Sequence, residues 1–461
     1  MTSVTMIGAG PGGYEAALVA AQLGARVTVV DPLGPGGSAV LTDCVPSKSL
    51  VATADVVSFG SRTGPMGILV DGHVPSGGTL SVDLGVVNRR ILALAQAQSE
   101  DIGDKLAREG VELLHGRGRL LGPTRVQVTL ATGEVEERDA DAVLIATGAR
   151  PRLLSEAMPD GERILTWEQL YSLDDVPSRL IVIGSGVTGA EFASAYHALG
   201  SQVVLVSSRD RVLPGEDPDA ARVIEEAFAD RELTVLPRSR ARAVRRTADG
   251  VVVELDGGGI VEGSHALLAV GSLPNTEDLG LEDAGVAVDD RGFIVVDRVS
   301  RTTARGVYAA GDCTGVLMLA SVAAMQGRIA MRHALGDAVT PLDRSRVSST
   351  VFTTPEIATV GVSQAEADSA DGRALSVMLP LASNARAKMD QLRHGFVKLF
   401  CAPGSGTVVG GVVVAPRASE LIHPISIAVD ARLTVDQVAS TFTVYPSLSG
   451  SIAEAARRLH E

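Results

Sequence analysis

A glycine-rich turn near the N-terminus has the spacing of turns that bind dinucleotide phosphates. The apolar residues 4–7 predict a strand, and Gly8, Gly10 and Gly13 follow it before an alanine-rich stretch that predicts a helix. In such a turn the first glycine allows the tight bend, the second lets a pyrophosphate approach the backbone, and the third lets helix and strand pack closely. The phosphate then meets the positive end of the helix. Asp31, at the end of the next predicted strand, is placed to accept from a ribose hydroxyl.

The same pattern occurs again in the middle of the chain. The apolar residues 180–183 lead into Gly184, Gly186 and Gly189, and a predicted helix and strand follow. Two such turns predict two dinucleotides, and FAD with a nicotinamide cofactor is the usual pair. Oxidation and reduction are therefore the leading class of chemistry.

The strand after the second turn ends without the acid of an NAD site. Ser207 stands there, and Arg209 and Arg211 follow shortly after it. Loss of a carboxylate removes repulsion with a 2′-phosphate, and an arginine can bind that phosphate through two hydrogen bonds. NADPH is therefore the favoured donor. If both arginines are only solvated loop charges, NADH remains the alternative.

Composition predicts a globular, cytoplasmic enzyme of several domains. The chain has 461 residues, 45% hydrophobic and 21% charged, and this length exceeds one hydrophobic core. Its formal net charge of -14 argues against a nucleic-acid partner. No apolar run is long enough to cross a membrane and no leader sequence occurs, so no integral membrane segment is expected. The three cysteines are too few and too scattered for a disulfide framework, and no metal-binding spacing occurs.

Residues 36–48 read G-G-S-A-V-L-T-D-C-V-P-S-K. This segment resembles the redox segment G-G-T-C-x-N-x-G-C-x-P-S-K of the pyridine nucleotide-disulfide oxidoreductases, the flavoprotein family that includes dihydrolipoamide dehydrogenase. Ala39 stands at the first cysteine position and Cys44 at the second. A disulfide needs two sulfur atoms at bonding distance, and no neighbouring cysteine replaces Ala39. The chain thus resembles a disulfide reductase that cannot form its active disulfide.

Further segments extend the resemblance over nearly the whole chain. They are the crossover-like residues 145–151 and 270–276, the FAD-binding strand end 307–313, and residues 352–358, 395–398 and 418–422, which resemble a dimerisation domain. The resemblance implies additional cofactor-binding residues, which are Gly118, Thr147, Gly148, Gly271, Gly311 and Asp312. Ser272 departs from the arginine that is usual in the second crossover. Cys313 is expected to be a small buried packing residue.

The resemblance implies an α/β fold with two Rossmann-like dinucleotide-binding domains and a C-terminal α+β dimerisation domain. We expect the FAD-binding domain at residues 1–148 and 269–345, the NAD(P)-binding domain at 149–268, and the dimerisation domain at 346–461. It also implies a homodimer, in which the C-terminal segment of one subunit completes the active site of its partner.

That C-terminal segment lacks the acid–base pair of the family. Members that act on dithiols and disulfides carry a histidine and a glutamate, whereas Tyr445 and Gly450 stand at these positions. A tyrosine, whose ordinary pKa is near 10, is a poor base at neutral pH. Two roles stay open for Tyr445: it donates a hydrogen bond or proton to the acceptor, or it fills the space of the former histidine.

The donor side of the flavin site is retained. Lys48 and Glu191 match the family's lysine and glutamate, which pair beside flavin N5, where hydride arrives from the nicotinamide. The chain has only four lysines, so a chance lysine at this position is improbable. The alternative for the pair is a surface salt bridge. Cys44 either faces the flavin as a reactive thiol with a lowered pKa or simply packs.

Together these residues predict hydride transfer from NAD(P)H to FAD, followed by two-electron transfer to a quinone. Ala39, Asp43, Tyr445 and Gly450 are the departures by which the chain resembles the quinone-reducing branch of the family, which lacks the active disulfide. Three rivals remain open. They are a soluble pyridine-nucleotide transhydrogenase, disulfide reduction by Cys44 with an external thiol, and a non-catalytic FAD-binding scaffold or redox sensor.

Overall fold

The computed structural model describes residues 1–60, 63–75, 80–369, 372 and 374–460, so that residue 461, the end of the predicted dimerisation domain, lies outside it. The elements up to residue 145 are β1 (Ser3–Ile7), α1 (Pro11–Gln22), β2 (Arg26–Asp31), α2 (Gly37–Leu41), α3 (Cys44–Gly60), α4 (Leu84–Arg108), β3 (Glu112–Gly122), β4 (Arg125–Leu130), β5 (Val135–Asp139) and β6 (Ala142–Ile145). The elements from residue 149 to residue 274 are β7 (Ala149–Pro151), β8 (Ile164–Thr166), β9 (Arg179–Ile183), α5 (Val187–Ala198), β10 (Gln202–Val206), α6 (Pro218–Ala229), β11 (Thr234–Leu236), β12 (Ala241–Arg246), β13 (Val251–Leu255), β14 (Ile260–Gly263), β15 (His265–Leu268) and β16 (Ser272–Pro274).

The remaining elements return to the first sheet and then build a separate one. They are β17 (Val307–Ala309), α7 (Ala320–Ala334), β18 (Ser348–Val351), β19 (Glu356–Gly361), α8 (Gln364–Ala367), β20 (Leu375–Pro380), α9 (Ala385–Met389), β21 (Phe396–Cys401), β22 (Val408–Ala415), α10 (Ala418–Asp430), α11 (Val435–Ser440) and α12 (Gly450–His460).

A seven-stranded sheet holds the N-terminal glycine turn. Its strand order is β17-β6-β1-β2-β3-β4-β5, and β1 pairs in parallel with both β2 and β6. β1 is almost wholly buried, as expected for a parallel strand that is covered on both faces. α7 packs closely on α1, since a Cβ on Gly327 would collide with the carbonyl oxygen of Gly12. The loops after β1, β6 and β17 therefore meet at one edge of the sheet.

A second, five-stranded parallel sheet holds the other glycine turn. Its order is β11-β10-β9-β15-β8, and the turn connects β9 to α5. The chain enters and leaves this region through β7 and β16, which pair antiparallel with Ser272 opposite Pro151. A small antiparallel sheet of order β12-β13-β14 lies in the same segment.

The C-terminal sheet is antiparallel, with strand order β18-β19-β22-β21-β20. One continuous hydrophobic core joins it to α3 and α5, and this core includes Leu50, Phe192, Phe396 and Phe400. The second nucleotide sheet and the C-terminal sheet therefore share one core with α3, the helix that begins at Cys44.

The predicted α/β fold class is confirmed by the mixed seven-stranded sheet, in which β3, β4 and β5 pair antiparallel, by the parallel five-stranded sheet and by the C-terminal antiparallel sheet. The predicted domain boundaries stay a proposal. Within the described residues, no helix is both long and apolar enough to span a membrane.

Candidate active site

A cavity of about 680 Å³ opens at the carboxyl ends of the strands in the first sheet. Its lining includes eight of the predicted cofactor-binding residues, which are Gly8, Gly10, Asp31, Gly118, Thr147, Gly148, Gly311 and Asp312. Ala39, Asp43 and Cys44 line the same cavity. Doubly wound folds bind nucleotides in the crevice outside the carboxyl ends of their strands. The volume lies within the range of small-ligand sites.

The first glycine turn is shaped for close approach by a ligand. Gly8 has a φ of +110°, and a Cβ there would collide with the carbonyl oxygen of Ala146. A Cβ on Gly13 would collide with the carbonyl oxygen of Gly8, whereas the space in front of Gly10 is open. The roles predicted for the three glycines from their spacing thus agree with the geometry of the turn.

Asp31 braces this turn as well as lining the cavity. Its Oδ2 accepts a hydrogen bond from Ala9 N at 2.7 Å, and its Oδ1 accepts from Leu33 N at 2.7 Å and from Gly34 N at 2.8 Å. Each carboxylate oxygen can accept a further bond. The ribose contact therefore stays a prediction, and the bracing role was not foreseen.

Asp312 follows β17 and lies in the cavity wall opposite the turn. Gly311 N donates to Gln326 Oε1 at 2.9 Å, which fixes the backbone just before it. Among the described residues none donates a hydrogen bond to the Asp312 carboxylate, and burial, reinforced by Asp43, raises its pKa to about 6. Enclosed polar groups normally have partners. Asp312 and the glycine cradle, which is the turn with Gly8, Gly10 and Gly13, therefore fit a ligand that carries hydroxyl and phosphate groups, as FAD does.

Lys48 and Glu191 form the predicted pair. Lys48 Nζ lies 2.8 Å from Glu191 Oε2, and the Glu191 side chain is almost fully buried. Glu191 Oε1 accepts from Phe352 N at 2.8 Å, and Lys48 Nζ lies 4.9 Å from the centre of the Phe352 ring. Although burial opposes the charged form of Lys48, Glu191 raises its pKa above the ordinary value. The pair is therefore a partly buried salt bridge that joins α3, α5 and the C-terminal sheet, with Glu191 buried and Lys48 32% exposed.

The surroundings of Cys44 favour the protonated thiol. Burial and the charge of Asp43 raise its pKa to about 12, while Lys48 acts in the opposite direction more weakly. The interpretation of Cys44 as a reactive thiol with a lowered pKa is therefore wrong, because removal from water outweighs the nearby lysine. All three cysteines of the chain are unpaired, and Cys313 is buried as predicted.

The second glycine turn repeats the first, and the end of β10 differs as predicted. A Cβ on Gly184 would collide with the carbonyl oxygen of Ala269. Ser207 is buried, and its Oγ lies 2.7 Å from the Ser185 Oγ. Arg209 is exposed, whereas Arg211 Nη2 donates to Pro214 O at 3.1 Å. Only Arg209 is thus fully available to a 2′-phosphate.

The other predicted residues of this second turn lie around the same strand ends. Gly186 and Gly189 flank the start of α5, and a Cβ on Gly189 would collide with the carbonyl oxygen of Gly184. Gly271 lies between β15 and β16, at the second crossover.

The structure does not bring Tyr445 to the cavity of its own chain. Its side chain is 85% exposed, and Phe442 and Val444 beside it are also exposed. Gly450 begins α12, where its N–H donates to the Ser447 Oγ at 3.1 Å. A contribution of Tyr445 to the site of a partner subunit stays a prediction.

Several residues near the cavity carry chemistry that sequence reasoning did not assign. Asp43 was noted only as a departure from the family pattern. Tyr171 is buried, and its hydroxyl has no hydrogen-bond partner among the residues that the structure describes. Glu168, from the same 3₁₀ helix Trp167–Ser172, accepts from Thr42 Oγ1 at 3.3 Å. In the sequence, only its position next to Cys44 marked Asp43 as a candidate functional residue. No sequence motif marked Tyr171 or Glu168.

The fold and the cavity define a flavin-dependent NAD(P)H oxidoreductase. Residues 2–327 match the pyridine nucleotide-disulphide oxidoreductase family, and residues 347–456 match the dimerisation domain of that family. The chain belongs to the pyridine nucleotide-disulphide oxidoreductase family, whose members use FAD and NAD(P)H.

Individual proteins of this family were compared with the chain in sequence and in structure. The chain is 53% identical to an NAD(P)H dehydrogenase (quinone) of Mycobacterium tuberculosis over 468 aligned positions, which cover 100% of this chain and 94% of the relative. It is 32% identical to the dihydrolipoyl dehydrogenase of Chlorobaculum parvum, with 98% and 96% covered. The crystal structure of LpdA from Mycobacterium tuberculosis matches with a TM-score of 0.94 at 54% identity, and 100% of both chains is covered. The flavoprotein disulfide reductase RclA of Escherichia coli has the same fold, with a TM-score of 0.87 at 23% identity over 99% of both chains.

Proposed function

We propose that this enzyme passes two electrons from NAD(P)H to a quinone-type acceptor without a redox-active disulfide. One observation carries the proposal: Ala39 and Cys44, a lone thiol whose pKa burial raises to about 12, both line the cavity, while the Lys48–Glu191 pair is intact. When bound, FAD supplies the relay chemistry, because it accepts hydride from a nicotinamide and gives electrons to an acceptor. The name of the mycobacterial relative, NAD(P)H dehydrogenase (quinone), supports the choice of acceptor.

Two roles are assigned to the residues of the chain. They would hold the cofactors, and they provide no thiolate that could relay electrons through sulfur. The glycine cradle, Asp31 and Asp312 would bind FAD, and Lys48 would keep a positive charge close to Asp43 and Cys44 in the cavity wall. A compact lysine charge stabilises negative charge that develops during reduction. A lone thiol whose pKa is about 12 offers no thiolate at neutral pH to relay electrons to a disulfide substrate.

The proposal includes the donor, the assembly and the location. NADPH is the preferred donor, supported by the buried Ser207 and the exposed Arg209 after β10. A homodimer places the C-terminal segment with Tyr445 at the partner's cavity, supported by the match to a dimerisation domain. The FAD-binding domain comprises residues 1–148 and 269–345, and the reaction takes place in the cytoplasm, where unpaired cysteines are stable.

An acceptor screen tests the proposal. The holoenzyme is supplied with NADPH or NADH and with one of four acceptors: a benzoquinone, lipoamide, glutathione disulfide or an oxidised NAD analogue. We expect rapid formation of quinol and no turnover of either disulfide. Rapid reduction of the NAD analogue without quinone would instead indicate a transhydrogenase, and a flavin that NAD(P)H fails to bleach would indicate a scaffold.

A reductive titration tests the missing disulfide separately. Wild-type enzyme and the Cys44→Ala variant should consume the same amount of NADPH per flavin, because only the flavin takes up electrons. Uptake of additional electrons by the wild type, or a charge-transfer band that disappears in Cys44→Ala, would contradict the proposal.

A further inference from the structure

Asp43 is a carboxyl group in the cavity wall to which the proposed function assigns no role. Its backbone is held on both sides, because its N–H donates to Ser38 O at 2.8 Å and its carbonyl accepts from Ser47 N at 2.7 Å. These bonds fix the Asp43 backbone directly before α3 and next to Cys44 in the chain, and Asp43, Cys44 and Ala39 all line the cavity. A group held this rigidly is suited to positioned chemistry.

Titratable groups surround Asp43 on every element packed around it. They are Lys48 and Cys44 from α3, Glu191 from α5, Glu168 and Tyr171 from the 3₁₀ helix, and Asp312 after β17. Lys48 is the only cation in this set, and Glu191 already pairs with it at 2.8 Å. Burial, reinforced by Glu191 and opposed by Lys48, raises the pKa of Asp43. Asp43 therefore holds a proton more readily than a free carboxyl does.

The Tyr171 hydroxyl belongs to the same environment. Its side chain is 4% exposed, and within the described ranges its hydroxyl has no hydrogen-bond partner. Burial raises the pKa of Tyr171, and Asp43 is the charge that contributes most to this shift. Buried hydroxyls in native proteins nearly always have a partner. Tyr171 is not among the residues that line the cavity, so its hydroxyl is placed to act on Asp43 rather than on a molecule in the cavity.

We propose that Asp43 is the general acid that protonates the acceptor, with the buried Tyr171 hydroxyl as a positioning group for the Asp43 proton. This inference rests on the proposed function. Reduction of a quinone to a quinol consumes two electrons and two protons. NAD(P)H supplies a hydride, which is two electrons and one proton, and the Asp43 carboxyl gives the second proton to a quinone oxygen. The Asp43 carboxylate then regains its proton from solvent.

Paired acceptors test this role in the holoenzyme. Asp43→Asn keeps the shape of the side chain and removes the transferable proton, and Asp256→Asn serves as a matched control on an exposed turn outside the cavity. The acceptors are a benzoquinone, which takes up protons on reduction, and ferricyanide, which takes up none. We expect quinone turnover by Asp43→Asn to fall roughly 100-fold, while ferricyanide turnover and the rate of flavin reduction by NADPH change by no more than about twofold. Tyr171→Phe, which removes the buried hydroxyl near Asp43, should lower quinone turnover roughly 10-fold and leave ferricyanide turnover within about twofold.

Infrared spectroscopy gives a readout that is independent of turnover. Across a pH titration, the wild type should show the carbonyl band of a protonated carboxyl that Asp43→Asn lacks and Asp256→Asn retains. Equal losses with quinone and ferricyanide, unchanged quinone turnover, or an absent Asp43 band would overturn the inference and leave the proposed function standing. A wild-type enzyme that reduces ferricyanide but no quinone would overturn both.

Discussion

At the scale of single residues, burial decides the chemistry of the cavity. Lys48 keeps its charge because Glu191 lies 2.8 Å away. Cys44 has the same lysine nearby, yet burial and Asp43 raise its pKa to about 12. Lys48 thus forms a salt bridge without lowering the pKa of the Cys44 thiol below its ordinary value. A site that relays electrons through sulfur needs a thiolate, and this environment does not favour one.

Alkylation of Cys44 tests the state of this thiol. Because only the thiolate reacts and the pKa is about 12, the rate with iodoacetamide should rise about tenfold for each pH unit, with no plateau below about pH 10. Limited access to the thiol would lower every rate without changing this slope. Cys44→Ser measures background labelling of the other cysteines. A plateau near the ordinary thiol pKa would contradict the assignment.

Substitution of Arg209 tests the choice of donor. The exposed guanidinium of Arg209 is free for a 2′-phosphate, whereas Arg211 already donates to Pro214 O. A charge-assisted hydrogen bond contributes about 1.5–3 kcal/mol, so Arg209→Ala should raise the KM for NADPH roughly 10- to 100-fold and leave that for NADH unchanged. Arg211→Ala is the matched control, with a smaller effect. Equal changes for the two donors would contradict phosphate recognition.

At the scale of elements, a buried lysine joins the C-terminal sheet to helix α6. Lys398 in β21 is 2% exposed, and its Nζ lies 2.8 Å from Asp217 Oδ2 and 2.8 Å from Asp219 Oδ2. Asp217 caps α6, where its side chain accepts from Asp219 N and Ala220 N. The C-terminal sheet is therefore tied to the helix that covers the second nucleotide sheet.

Removal of this lysine should destabilise the protein. Lys398→Met leaves Asp217 buried without its cation, and breaking a buried pair from one side costs about 3–5 kcal/mol. The midpoint of urea unfolding should fall accordingly. Lys388→Met, at an exposed position in α9, is the matched control and should shift stability by no more than about 0.5 kcal/mol. Similar midpoints for the two variants would refute a structural role for Lys398.

At the scale of the whole molecule, one chain supplies the Lys48–Glu191 pair and the glycine cradle, and its C-terminal segment around Tyr445 is exposed. Lys48 and Glu191 come from the same chain as the glycine cradle. Phe442 and Tyr445 are 102% and 85% exposed, which is costly for aromatic side chains unless a partner covers them. Hydride uptake is therefore expected within one subunit and acceptor reduction across two.

A charge placed in the C-terminal segment separates these two steps. Phe442→Glu should convert the dimer to a monomer in sedimentation velocity, because a carboxylate cannot be buried unpaired at an interface. Flavin reduction by NADPH should persist, while quinone turnover should fall at least roughly 10-fold. Val135→Glu, on the exposed edge strand β5, is the control and should remain dimeric. A dimeric Phe442→Glu protein would refute this placement of the interface.

Much of the fold and part of the site were predictable from the sequence. The glycine turns, Asp31 and Asp312 follow from local spacing and from resemblance, since a strand, a turn and a helix occupy adjacent residues. The state of Cys44 was not predictable. It depends on burial and on Asp43 and Lys48 together, and sequence position does not report the depth of a side chain.

The sequence by itself determined that the chain binds two dinucleotides and lacks one of the two redox cysteines, because both properties are set by residue types at close spacing. The tertiary structure alone decided which charges lie near Asp43. Glu191 and Asp312 approach it from distant parts of the chain through packing of separate elements. The physical reason is that electrostatic interactions and loss of solvent depend on distance in space, and these distances exist only once the sheets have packed around α3.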